Sequence, residues 1–217
     1  MLVLGIETAT DMASVALSDE SGPVAEYRMR RGIGHAESLP LAVRSLFELS
    51  GRGFNSLGGV AVSIGPGSFT GLRIGLGLAK GMALALEMPL AAVPTLDALA
   101  RRITPAPWAV VVIPAQRNEV YLGFYRFQAE DWKSVAPVRF VPTDQMNKEL
   151  PEGEGIVAGP DVKYLQGRIQ RPEVRIVRIL PSAFAVAETG IRLIAMGETA
   201  DLDTAVPFYL KRFQGVA

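Results

Sequence analysis

The chain has 217 residues, 49% of them hydrophobic and 20% charged, which supplies a core for one large domain or two small ones and excludes a disordered polypeptide. Lys and Arg number 22 and Asp and Glu number 22, so the formal charge is zero and no overall positive field holds a polyanion; RNA contact has to be local or shared with a partner. With no cysteine and a single histidine, His35, neither disulfides, thiolate chemistry nor a two-histidine metal site can be built from this chain alone.

Met1-Leu2-Val3-Leu4-Gly5-Ile6-Glu7 has no basic flank and reaches an acid before any apolar stretch is long enough for a signal peptide, so a first strand and a cytoplasmic location are expected. Leu2 to Thr8 and Ala13 to Ser18 form a predicted hairpin about Thr10-Asp11, and Val24 to Met29 a third strand. A helix follows from near Ala36 to Ser50, with Leu39, Val43, Leu46 and Phe47 on one face. Pro40 suits only its first turn.

The apolar run Gly59 to Ile64 is a strand, and Gly65-Pro66-Gly67-Ser68 delivers it into a helix from Phe69 to Leu86, a parallel crossover unit. Lys80 and Glu87 make the apolar region Ile74 to Val93 costly in a bilayer, so it is expected to be a buried helix rather than a membrane span. Leu90 to Val93 is a strand and Thr95 caps a helix to Arg102, after which Thr104-Pro105-Ala106-Pro107 marks a lobe boundary.

The pattern then recurs. Trp108 to Ile113, Val120 to Phe127 and Val135 to Val141 are strands, followed by a helix at Thr143 to Leu150, a strand at Gly155 to Gly159, a helix at Val162 to Ile169, a strand at Val174 to Val177 and a helix at Ser182 to Met196. Two lobes, 1–103 and 104–217, each a three-strand meander with alternating helices and strands, are expected.

Candidate chemistry concentrates at two turns. Glu7, Thr8 and Thr10 place a carboxylate and two hydroxyls at a hairpin where a phosphate or its metal could bind, although Thr and Asp also satisfy turn backbones. Gly65, Gly67 and Ser68 precede a helix whose first amides favour an anion, yet the Lys-Ser/Thr pair of a Walker loop is missing, and a sharp turn alone would require the glycines.

The helix after that loop carries Gly71, Gly75, Gly77, Ala79, Gly81, Ala83 and Ala85, although each interior glycine costs about 1 kcal/mol. Close approach of another backbone, either the sheet or a protein partner, is the physical reason to choose small residues. Arginine clusters at Arg28, Arg30 and Arg31, at Arg168, Arg171, Arg175 and Arg178, and Lys211 with Arg212 could touch RNA phosphates but are read as solvated faces, with no autonomous RNA site.

Leu4-Gly5-Ile6-Glu7-Thr8-Ala9-Thr10, His35-Ala36-Glu37-Ser38-Leu39-Pro40 and Gly65-Pro66-Gly67-Ser68-Phe69-Thr70-Gly71-Leu72-Arg73-Ile74-Gly75 together closely resemble the TsaB (YeaZ-like) family, with weaker similarity at Asn118 to Tyr121 and Pro207 to Lys211. The resemblance implies an α/β, actin-like, ribonuclease H-like fold in two duplicated lobes, and a role in tRNA modification. Family members pair with the catalytic paralogue TsaD and with the ATPase TsaE, and the assembly places threonylcarbamoyl on the adenosine next to the anticodon of tRNAs reading codons beginning with A.

By that resemblance this chain is a non-catalytic subunit that requires no cofactor of its own, with ATP or ADP and magnesium at the complex interface and tRNA met only through the complex. Its partner face would lie on the two N-terminal-lobe helices, with Leu39, Val43, Leu46, Phe47, Gly71, Ile74, Gly75, Leu78 and Met82 as interface residues; a homodimer through the same face is expected when the paralogue is missing. The paralogue's metal-binding histidine pair has only His35 here, and Pro114 stands where the family usually has an acid. Both departures count against the rival readings: a stand-alone phosphotransferase or ATPase at Glu7, Thr8, Thr10, Gly65, Gly67 and Ser68, and a metallopeptidase.

Overall fold

The computed structural model describes residues 1–30, 35–115 and 118–209, so Arg31, Gly32, Gly34, Lys211 and Arg212 lie outside the described residues, as do the side chains of His35 and Glu37. Contacts divide the chain into two units, one formed by Met1–Thr95 together with the chain from Ser182 onward, the other by Leu96–Pro181.

In the first unit β1 (Leu2–Glu7), β2 (Met12–Asp19) and β3 (Gly22–Arg30) form an antiparallel meander. Then β4 (Leu57–Gly65) and β5 (Leu90–Pro94) add parallel to β1, giving the order β3-β2-β1-β4-β5. Strand alternation sends Leu2, Leu4 and Ile6 of β1 and Val60 and Val62 of β4 to one face. There they pack with residues of α1 (His35–Ser50) and α2 (Phe69–Ala85), including Leu46, Phe47, Leu76 and Ala79. Pro40 is the sixth residue of α1, beyond the first turn, and removes an intrahelical donor there.

The opposite face carries small residues, and α5 (Ala183–Ala195) lies against it. A Cβ on Gly5 would come within 2.1 Å of the Ala183 carbonyl oxygen, and one on Gly190 within 2.3 Å of the Ala61 Cβ. This corrects the expected lobes of 1–103 and 104–217. The chain returns to the first unit at Ser182, because the groove left by Gly5 and Ala61 is filled by α5, a pairing across more than 120 residues that local pattern does not reveal.

The second unit repeats the connectivity. Here β6 (Trp108–Pro114), β7 (Glu119–Gln128) and β8 (Asp131–Pro142) form the meander, and β9 (Gly155–Gly159) and β10 (Val174–Arg178) run parallel to β6, in the order β10-β9-β6-β7-β8. Read from the other edge, this is the order of the first sheet. The β7–β8 turn is Ala129-Glu130, both at positive φ, so β8 starts before the expected Val135; without Gly or Asn the turn carried no sequence signal.

Helices shrink in this unit. The segment expected as Thr143 to Leu150 is helical only over α4 (Met146–Glu149), and Val162 to Ile169 contains one 3-10 turn at Lys163–Leu165. Val162, Leu165 and Ile169 are buried as a helical pattern requires, but Gly167 at φ 84° ends the turn first. Near its start, α3 (Thr95–Ala100) stops before the expected Arg102.

Candidate functional site

Glu7 ends β1 with 1% of its surface exposed. Its Oε1 accepts the Ala9 N–H at 2.6 Å, while the Ser63 Oγ, also near the carboxyl, accepts the Thr8 N–H at 3.3 Å. Burial pushes the Glu7 pKa up to about 7, against the opposing effect of the Ala9 amide and the Ser63 hydroxyl. The Thr10 hydroxyl satisfies the turn itself, accepting the Met12 N–H and facing the Met12 carbonyl.

The glycine loop packs directly onto this turn, so the structure does bring Glu7, Thr8, Thr10, Gly65, Gly67 and Ser68 into one neighbourhood. Three amides of the loop and the helix start, however, have partners inside the chain. The Gly65 N–H donates to Thr95 Oγ1 at 3.1 Å, the Ser68 N–H donates to the Ala9 carbonyl at 2.7 Å, and the Gly71 N–H donates to Ser68 Oγ at 3.3 Å, which caps α2. A Cβ on Gly67 would stand 2.4 Å from the Ala9 carbonyl oxygen. Over Gly65, held at φ 115°, lies the Phe208 carbonyl, and the Phe208 N–H donates to the Ile64 carbonyl at 2.7 Å. Close approach of the hairpin turn and of the segment around Phe208 explains the glycines.

The two N-terminal-lobe helices required a correction. Leu39, Val43, Leu46 and Phe47 are 1–3% exposed and belong to the chain's own core, where the α1 face meets the sheet. Gly71 and Gly75 are internal as well: a Cβ would stand 2.1 Å from the Thr8 carbonyl oxygen in one case and 2.2 Å from Thr8 Oγ1 in the other. Ile74, Leu78 and Met82 are half-buried at the border of that core.

The outward face of the pair presents residues outside the expected set. Gly77 and Gly81 are exposed, and among the described residues a Cβ on either would meet nothing within 4 Å. Leu84 at 70%, Leu41 at 62% and Leu49 at 77% are also exposed on these helices. A signal existed, since these positions fall off the apolar stripe of each helix at 3.6 periodicity, and apolar or glycine residues off the stripe are the ones a core does not explain.

The arginine clusters divide. Arg28 pairs with Glu26 at 2.6 Å, Arg171 with Glu173 at 2.8 Å, and Arg178 Nε donates to the Pro160 carbonyl, all local structural duties. Among the described residues no three His, Cys, Asp or Glu side chains group as metal ligands would, and no helix is long and apolar enough to cross a membrane.

The family model of the tRNA N6-adenosine threonylcarbamoyltransferase TsaD matches residues 32–184. The tRNA threonylcarbamoyladenosine biosynthesis protein TsaB of Escherichia coli (strain K12) is 31% identical over 224 residues, covering 97% of this chain and 95% of its own. Among solved structures, YeaZ from Pseudomonas aeruginosa has a TM-score of 0.82 at 29% identity, covering 96% of this chain and 99% of its own. The ethanolamine utilization protein EutJ from Carboxydothermus hydrogenoformans shares the fold alone, with a TM-score of 0.54 at 16% identity over 86% of this chain and 89% of its own.

Two mixed sheets of one connectivity, flanked by helices, thus define an α/β protein of the actin-like class. Within that class, the chain belongs to the TsaB family, and its place is in tRNA threonylcarbamoyladenosine biosynthesis.

Proposed function

We propose that this chain is a non-catalytic scaffold subunit, working in the cytoplasm, that docks through α1 and α2 on a transferase of the TsaD type, holds it in its active arrangement and helps seat the ATPase TsaE. Threonylcarbamoyl would then pass to the adenosine next to the anticodon of tRNAs reading codons beginning with A, with the tRNA held by the complex. The observation that carries this reading is the pair Gly77 and Gly81: each costs α2 about 1 kcal/mol relative to alanine, and among the described residues neither has a contact that offsets it. A partner helix approaching closely across that stripe offsets the cost, with Leu41, Leu49 and Leu84 supplying apolar area around it.

In this reading Ile74, Leu78 and Met82 flank the contact rather than centre it, and nucleotide with magnesium is held elsewhere in the assembly, because the Gly65, Ser68 and Gly71 amides already have partners. Reconstitution tests it. The purified chain should transfer nothing alone and should restore activity to the transferase and ATPase supplied with threonylcarbamoyl-adenylate; full activity without it would reject the scaffold role. Gly77→Trp should weaken pairing, read by calorimetry, with an unchanged circular dichroism spectrum. Sedimentation of the isolated chain shows whether the same face forms a homodimer.

A further inference from the structure

The edge strand β8 slips twice against β7, with register shifts between Leu122 and Phe124 and between Phe124 and Tyr125. Such bulges bend a strand and re-aim its side chains. Beside them opens a cleft of about 200 Å³ lined by Trp108, Phe124, Val135, Arg126, Arg139 and Glu149, all within the second unit. Its floor is rigid: the Trp108 ring packs on Gly155, where a Cβ would stand 2.2 Å from it, and Trp108 Nε1 donates to the Glu152 carbonyl at 3.0 Å. The Arg139 guanidinium lies 5.0 Å above the centre of the Phe124 ring and pairs with Glu149, while the Arg139 side chain remains about half exposed.

At the rim Arg126 stands directly across from Lys133 in the β7–β8 register. Like charges in that position destabilise a sheet. Lys133 pairs with Asp131 at 3.2 Å, a carboxylate it shares with Arg101, but among the described residues the Arg126 guanidinium has no hydrogen-bond or ion-pair partner. An unpaired cation beside an aromatic floor and a guanidinium plane selects a ligand that is both flat and anionic. The cleft is smaller than the roughly 300–1,000 Å³ that encloses a drug-sized molecule, so it has room for one ring system and not for a protein element.

We infer that this cleft binds a single nucleotide unit, its base stacked on the Arg139 guanidinium over Phe124 and its phosphate on Arg126. Stacking on aromatic rings and guanidinium planes with phosphate contacts from Arg is how unpaired nucleotides are held. The unit comes either from a single-stranded stretch of RNA or from a free mononucleotide. The site lies in the second unit and does not depend on docking through α2, so its failure would leave that reading standing.

The test uses the full chain at low salt, with anisotropy of a short fluorescein-labelled single-stranded RNA and calorimetry with adenosine 5′-monophosphate. Binding of the RNA only assigns the strand as the source; binding of the mononucleotide assigns the free ligand. In either case Arg126→Glu should weaken binding by roughly tenfold or more, and for RNA should lower the salt slope by about one. Val135→Trp, which fills the cleft from its exposed wall, should abolish binding, while Arg44→Glu in the first unit should leave it unchanged. Circular dichroism of each variant should match that of the parent. No binding of either probe, binding indifferent to Arg126→Glu and Val135→Trp, or an equal loss in Arg44→Glu would overturn the site.

Discussion

Glu7 is an acid placed where water does not reach, and its ionisation is coupled to folding. Its pKa is about 7 in the folded chain against 4.5 for the ordinary side chain. Between those values the unfolded chain has released a proton that the folded chain keeps, so stability falls as pH rises from about 4.5 to about 7 and levels off above, where the cost is on the order of 3 kcal/mol. Urea titrations of Glu7→Gln should therefore lack this part of the slope and show a more stable protein at pH 8 than the parent, with little difference at pH 4; the same slope in both would show that Glu7 is not its source. Two glycines of one helix should also part company. Gly77→Ala meets open space and should raise stability by up to about 1 kcal/mol, whereas Gly75→Ala drives a methyl into Thr8 Oγ1 and should lower the melting temperature.

Helix α1 offers the same contrast between interior and surface. Leu46, 1% exposed, should cost about 2–5 kcal/mol as Leu46→Ala, while Leu49→Ala, at 77% exposure, should stay within about 0.5 kcal/mol of the parent and lose affinity for the transferase instead. Helix α5 depends on a cap supplied from another element. The Glu26 Oε1 of β3 accepts the Ser182 hydroxyl at 2.9 Å and the Ala183 N–H at 3.0 Å, Ser14 Oγ of β2 accepts the same N–H at 3.0 Å, and Arg28 pairs with Glu26. Glu26→Ala should destabilise the protein by about 1–3 kcal/mol, since it removes the acceptor of the Ser182 hydroxyl, one of the two acceptors of the Ala183 N–H and the carboxylate paired with Arg28; thermal melts with an unchanged midpoint would refute the assignment.

For the molecule as a whole, the first unit is discontinuous, and this makes a prediction about fragments. Residues 1–103 expressed alone would expose the face of β1 and β4 that α5 covers, with Gly5 and Ala61 unfilled, so the fragment should aggregate or fail to fold cooperatively in light scattering and thermal melts. Supplying 182–217 in trans is the variant expected to restore it. The repeated strand order in the two sheets carries very different loads: long helices over β4 and β5, a four-residue helix and one 3-10 turn beside β9 and β10. The helices proposed to dock belong to the first, the bulged edge strand and its cleft to the second.

Alternation within β1 and β4, the apolar stripes of α1, α2 and α5 and the doubled meander were legible in the linear chain, because period-two and period-3.6 patterns are local and each strand or helix imposes them on its own residues. The conjunction of motifs near residues 4–10, 35–40 and 65–75 likewise carried the family. What the chain order could not state was which glycine meets an atom and which meets space. Gly71, Gly75, Gly77 and Gly81 look alike in sequence, yet two abut Thr8 and two face outward. The placement of Arg126 across from Lys133 and the return of α5 to the first sheet share that origin: both depend on segments that meet only after the backbone has folded, when distance in space replaces distance along the chain.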